Sequence, residues 1–143
     1  MHSDKKNAIT FSIPKDKIVF TVESVEANTI TLGLKNNSEE PLSFGNPKYS
    51  INAAPFLYLN GKTVDGRMKP YSIRENRKKL LYLKPQEKIM VTYDFKLDEI
   101  YRSLSPGNYE LQFQYFGDII GEGKQFMILG NSVIKSNRFS IKL

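Results

Sequence analysis

Four stretches of this chain place an apolar residue at every second position: Ile18, Phe20 and Val22; Ile30, Leu32 and Leu34; Ile89, Val91, Tyr93 and Phe95; and Tyr109, Leu111, Phe113 and Tyr115. A side-chain period of two belongs to extended backbone, in which successive residues point to opposite faces, so each stretch predicts a strand with one face buried and the other wet. A chain with this much alternation has to close by packing sheet against sheet, because one strand cannot cover its own apolar face.

The segments between these runs punctuate them. Ala8 to Ile13 and Lys17 to Val25 read as two half-buried strands, and Asn36-Asn37-Ser38-Glu39-Glu40-Pro41 ends the run after Leu34 with turn formers and a proline. Shorter extended pieces are expected at Leu42 to Phe44, Lys48 to Ile51, Pro55 to Leu59 and Leu80 to Leu83. Asn60-Gly61 predicts a tight hairpin, since both residues tolerate positive φ. Leu97, Ile100, Tyr101 and Leu104 fall at i, i+3, i+4 and i+7, the stripe of a two-turn helix near 97–104 that Pro106 and Gly107 stop. Ser132 to Ile134 and Phe139 to Leu143 read as a last hairpin or one bent edge strand. The glycine-rich stretch from Gly117 to Gly130 has no clear period, and Val64 to Lys79 reads as a long exposed loop. The domain organisation that follows is a polar tether over residues 1–7 and a single all-β domain over 8–143.

Composition narrows the chemistry. With 143 residues, a hydrophobic fraction of 40% and a charged fraction of 25%, the chain can bury one core, and its longest apolar runs are far shorter than a membrane span. Cysteine is absent, which removes disulfides, thiolate metal sites and thiol nucleophiles together. His2 is the only histidine and stands in the polar leader, so histidine-based triads and multi-histidine metal centres are excluded. The balance of 21 Lys plus Arg against 15 Asp plus Glu gives a formal charge of +6, a mild bias toward anionic partners.

Few residues are left as candidates for chemistry. Asp94 can meet Asp98 and Glu99 where a strand enters the helix, and Asp118 shares a loop with Glu122; the plainer reading of Asp98 and Glu99 is helix-terminal electrostatics. Gly117, Gly121 and Gly123 lack the strand-to-helix setting and the Lys-Ser or Lys-Thr step of a phosphate-cradling loop. No catalytic, cofactor-binding or metal-binding residue is assigned, and a non-enzyme without cofactor is expected. Candidate partner-binding residues are Arg67, Lys69, Tyr71, Arg74, Arg77, Lys78 and Lys79, a basic cluster with an aromatic; its plainer reading is a solvated loop that keeps a β-protein soluble. Phe44, Tyr49, Phe56, Tyr58, Phe113, Tyr115, Phe116 and Phe126 read mainly as core, with Phe116, out of phase with its strand, the candidate for an exposed patch.

Two motif groups carry a resemblance. One is Leu34-Lys35-Asn36-Asn37-Ser38-Glu39-Glu40-Pro41-Leu42; the other is Leu83-Lys84-Pro85-Gln86-Glu87 leading to Tyr93-Asp94-Phe95 and then Leu104-Ser105-Pro106-Gly107-Asn108-Tyr109. Their order resembles bacterial immunoglobulin-like domains, in which a strand ends in Asn-x-Ser/Thr-x-x-Pro, a later one follows Leu-x-Pro-Gly-Glu, and Pro-Gly-x-Tyr opens the next. The arrangement is similar to that of the bacterial intracellular proteinase inhibitor family and of small envelope lipoproteins. It implies an immunoglobulin-like antiparallel β-sandwich of about seven to nine strands. It also implies that Pro106, Gly107 and Tyr109 form a structural turn, with the Tyr109 hydroxyl returning to nearby backbone. Gln86 stands where the family turn carries glycine, and Val64 to Lys79 resembles an insertion.

The function expected on these grounds is a non-catalytic binding domain of the bacterial cell envelope, monomeric, meeting a protein or glycan partner through sandwich loops or an exposed sheet face. The polar leader after Met1 is similar to the start of a mature lipoprotein with methionine in place of the acylated cysteine, so the expected membrane link is a lipid anchor. A native start at Met1 would instead place the chain in the cytoplasm. One alternative is a protease-inhibitor or immunity-type protein acting through the loop at Tyr71 to Lys79. Another, less favoured, is nucleic-acid binding through the same basic loop, for which the charge falls short of a dense basic face.

Overall fold

The computed structural model describes residues 17–64, 80–101, 103–121, 125–127 and 133–143. The expected strand over Ala8 to Ile13 and most of the loop from Val64 to Lys79 lie outside the described residues. Within them the chain is all-β and antiparallel, with one short helix, consistent with a β-sandwich. The strands are β1 (Ile18–Glu26), β2 (Thr29–Asn36), β3 (Leu42–Gly45), β4 (Ala53–Leu59), β5 (Lys62–Thr63), β6 (Leu80–Leu83), β7 (Lys88–Thr92), β8 (Asn108–Tyr115), β9 (Ile119–Gly121), β10 (Gln125–Met127), β11 (Ile134–Lys135) and β12 (Phe139–Lys142), and α1 is Leu97–Ile100. They form three sheets, ordered β1-β2-β7, β10-β9-β3-β6 and β11-β8-β4-β5, with β12 also on β8.

The strand number exceeds the expected seven to nine because long paired segments are broken at a bend into separate strands. β2 pairs β7 up to Lys35↔Lys88, and β3 pairs β6 from Leu42↔Leu83. Between these pairs residues 36–41 face residues 84–87, so one strand carries two residues more than its neighbour and the ladder bends from one sheet into the next. The bend is held by Asn36, which is fully buried. Its amide donates to the carbonyls of Glu40 (2.7 Å) and Leu83 (3.0 Å), and its Oδ1 accepts from the Ser38 N–H (3.0 Å) and hydroxyl (2.7 Å). The side chain thereby fills its whole hydrogen-bonding capacity. The Asn36 backbone joins the same knot: its N–H donates to Glu87 O at 2.9 Å and its carbonyl accepts from Gln86 N–H at 2.6 Å. Gln86 sits at φ 69°, which explains why the resembling turns carry glycine there.

The hairpin expected at Asn60-Gly61 forms. Asn60 (φ 54°) and Gly61 (φ 81°) both take the left-handed conformation, and Leu59↔Lys62 closes the β4–β5 turn. Ala27 and Asn28 do the same between β1 and β2, at φ 51° and 69°. Of the expected last hairpin or bent edge strand, residues 134–142 form the bent edge: β11 and β12 both pair β8, separated at Ser136 to Arg138. At that corner the Asn137 side chain accepts from the Val22 N–H (2.8 Å) beside the bulge of β1, tying β1 to the far edge.

Two expectations are corrected. Lys48 to Ile51 is not extended but a compact turn, in which Asn46 Oδ1 accepts from Lys48 N–H (2.9 Å) and Tyr49 O accepts from Asn52 (2.9 Å) and Ala53 (3.2 Å). Local Asx bonding outcompetes a strand here. The helix is one turn rather than two. Glu99 Oε1 accepts from the Lys96 N–H (2.8 Å) at its start, and Tyr101 leaves it at φ −118°, ψ 116°. The stripe still points inward, with Leu97, Ile100 and Tyr101 buried.

The core lies between the sheets and centres on Phe20, Tyr93, Phe113 and Tyr115. Phe113 meets Phe20 edge-on at 6.5 Å and Tyr93 at 4.9 Å, and Phe20 meets Tyr115 at 5.7 Å. Tyrosine hydroxyls fasten this layer to backbone: Tyr93 donates to Ala53 O (2.8 Å), Tyr115 to Gly45 O (2.8 Å), and Tyr101 reaches Pro55 O at 3.4 Å. Burial pushes the Tyr101 hydroxyl up to about 12, and burial together with the Asp118 charge pushes Tyr115 higher still.

Truncating Asn36 to alanine removes the buried side-chain partners of the Leu83 carbonyl and the Ser38 N–H, so Asn36→Ala is expected to lower unfolding free energy by about 3 kcal/mol, read as a reduced urea midpoint at unchanged slope. Gln86→Gly relieves a left-handed conformation that costs an L-residue about 1 kcal/mol and gives up the part-buried bond from its side chain to Ser38 O (3.2 Å); a gain of about 0.5 kcal/mol is expected in the same assay. Because the folded Tyr101 titrates above its unfolded value near 10, its stabilisation is complete below about pH 10 and is lost as pH rises through about 12. Tyr101→Phe is therefore expected to flatten the fall in stability over that window by on the order of 2 kcal/mol, measured by urea titration at stepped alkaline pH.

Candidate functional site

The candidate partner-binding residues Arg67, Lys69, Tyr71, Arg74, Arg77, Lys78 and Lys79 all lie outside the described residues. The structural turn is in place: the Tyr109 hydroxyl donates to Ser105 O at 2.7 Å, four residues upstream. Gly107 pairs its N–H and carbonyl with Leu143 (3.0 and 2.8 Å), so the same turn anchors the chain beyond β12.

Among the described residues, two of the candidate carboxylates have partners other than each other. Asp94 faces Lys48 Nζ at 3.9 Å, and Glu99 is committed to the Lys96 N–H. Asp118 is exposed on the approach to β9, while its proposed companion Glu122 lies outside the described residues. Among the described residues no three His, Cys, Asp or Glu side chains are grouped to hold a metal ion. Glu23 has a shifted affinity for protons: hydrogen bonds from Lys88 (2.8 Å) and Thr21 (2.5 Å) hold it below the usual range.

Two outward faces stand out instead. The first is the outer face of the β9-β3-β6 sheet. Alternation turns Leu83 and Leu81 toward or along the core, and Leu80 and Tyr82 away from it, 38% and 53% exposed. Across the ladder, Tyr82 pairs Ser43, which pairs Ile120; Leu80 pairs Gly45, whose N–H donates to Asp118 O at 2.9 Å. Small residues thus floor a shallow trough with apolar side chains on both banks. Phe116, 46% exposed as its phase predicts, joins Leu80, Ile51 and Asp118 around a cavity of about 200 Å3 at its end. The Asn52 side chain lies over Gly45, where an added side chain would collide with it at 2.8 Å. β6 is the outermost strand of this sheet among the described residues.

The second is the outer face of the β4-β8-β12 sheet, which sequence reading missed. Tyr58, Glu110 and Ser140 lie in one cross-strand row, and Asn108 pairs Lys142 in the next. With Asn60 they border a cavity of about 430 Å3. The Arg138 guanidinium lies 3.8 Å from the Tyr58 ring centre and 3.4 Å from Glu110, fixing both. The signal was available as the polar half of the alternation in β8 and β12, but which polar residues become neighbours depends on the register between strands distant in sequence. Of the aromatic set, Phe44, Phe113 and Tyr115 are buried as expected, Tyr49, Phe56 and Tyr58 are half-buried, and the side chain of Phe126 lies outside the description.

No protein-family model matches the chain, and no curated protein matches it.

Proposed function

We propose that the chain is a non-catalytic binding domain that docks a protein partner on the outer face of the β9-β3-β6 sheet. The reading rests on one observation: Leu80, Tyr82 and Phe116 hold large apolar side chains in water around a trough floored by Ser43 and Gly45. Apolar surface of this kind, gathered on one face and ending in a small cleft, gains free energy when a partner covers it, and aromatic side chains give the most per residue. The outer edge of β6 adds backbone donors and acceptors that an extended segment of the partner can pair, as in strand addition.

The resemblance of the Asn36-to-Pro41 and Pro106-Gly107-Tyr109 motifs to bacterial immunoglobulin-like domains supports placing this domain in the bacterial cell envelope, held there by a lipid. Fractionation of the native gene product tests the location: recovery in the soluble cytoplasmic fraction would overturn it.

Tyr82→Ser and Phe116→Ser are expected to leave stability within about 0.5 kcal/mol of the wild type, since both side chains face water. Crosslinking in the source cells followed by affinity capture is expected to recover a protein with the wild type that the double variant fails to recover. Equal recovery by both would move the binding surface away from this face.

A further inference from the structure

We propose that the cavity on the outer face of the β4-β8-β12 sheet is a saccharide-binding site, taking one or two sugar rings that carry a carboxylate. This site is independent of the protein-docking face, which lies on a different sheet.

The register collects side chains whose chemistry suits a sugar. Tyr58 from β4, Glu110 from β8 and Ser140 from β12 stand in one row, with Asn108 and Lys142 paired beside it and Asn60 at the hairpin. A sugar presents neighbouring hydroxyls that each donate and accept. Asparagine offers a donor and an acceptor on one planar head, serine offers both on one atom, and glutamate accepts twice. Asn60, Asn108, Ser140 and Lys142 are exposed and make no side-chain hydrogen bond or ion pair among the described residues, so their capacity is available to a ligand. The volume of about 430 Å3 lies within the roughly 300–1,000 Å3 of small-molecule sites.

Two features make the site prepared rather than merely polar. Arg138 lies against the Tyr58 ring at 3.8 Å and meets Glu110 at 3.4 Å, and the Tyr58 hydroxyl is 3.4 Å from Gln112 Oε1. Arg138 therefore lies over the Tyr58 ring and beside the Glu110 carboxylate, so both side chains have a partner at the cavity before any ligand arrives. The positions also come from three paired strands rather than from a loop, which fixes their spacing. With Glu110 matched by Arg138, Lys142 is the unmatched charge at the cavity, and it assigns the ligand a carboxylate.

The test is amide-shift titration of the 15N-labelled full chain with glucuronate, galacturonate and N-acetylmuramate, each beside its neutral counterpart glucose, galactose or N-acetylglucosamine. At least one acidic sugar is expected to shift the amides of Tyr58, Glu110 and Ser140 at millimolar concentration, with its neutral counterpart about tenfold weaker. Asn108→Ala and Tyr58→Ala are expected to abolish the shifts. Lys142→Ala is expected to weaken the acidic sugar about tenfold and leave the neutral one unchanged. Tyr82→Ser should bind the sugar as the wild type does, which keeps this result separate from the fate of the protein-docking reading. The proposal is overturned if no acidic sugar moves these amides, if the shifts survive Asn108→Ala, or if neutral and acidic sugars bind equally.

Discussion

The fold depends on one buried amide. Two neighbouring chain segments, β2 into β3 and β6 into β7, bend together from one sheet into the next, and at the bend their ladder loses its regular pairing. Backbone groups that lose ladder partners in the interior must find others or cost free energy. Asn36 supplies those partners from a single side chain by binding Glu40, Leu83 and Ser38 at once, while its own backbone holds Gln86 and Glu87. Without it the buried Leu83 carbonyl and Ser38 N–H would lose their side-chain partner at the bend.

Lacking disulfides, the sheets are joined through side chains that are apolar along their length and polar at the tip. Tyr93, Tyr101 and Tyr115 each contribute a ring to the core and carry a hydroxyl to a backbone oxygen of another segment. Asn137 does the equivalent at the edge, standing in for a missing strand beside the β1 bulge. These contacts add direction to a hydrophobic core that by itself would specify only burial. The result is a rigid scaffold with its variety on two outward faces, one apolar between β6 and β9, the other polar across β4, β8 and β12.

Much of this was legible in the chain. The runs at Phe20, Leu32, Val91 and Phe113 announced strands and their buried faces, Asn60-Gly61 announced its hairpin, and Tyr109 its corner. Phe116 was legible as exposed because it breaks phase with Tyr115. The misreadings have local causes. The apolar stripe from Leu97 to Tyr101 was right about burial and wrong about helix length: Tyr101 turns to extended backbone, with its hydroxyl 3.4 Å from Pro55 O. Lys48 to Ile51 carried strand-like residues, but the Asn46 side chain captured their backbone first.

The sequence by itself determined that the chain is an antiparallel β-protein, which residues line its core, and where its tight turns fall, because alternation, φ preference and capping are properties of a few consecutive residues. Tertiary structure alone decided that Tyr58, Glu110, Ser140, Asn108 and Lys142 become neighbours, and that Leu80 and Tyr82 share a bank opposite Ile120. The physical reason is register. The alternation tells which residues face outward from each strand, but a cross-strand neighbour is fixed by the alignment of segments far apart in the chain, and that alignment is set by the whole core at once.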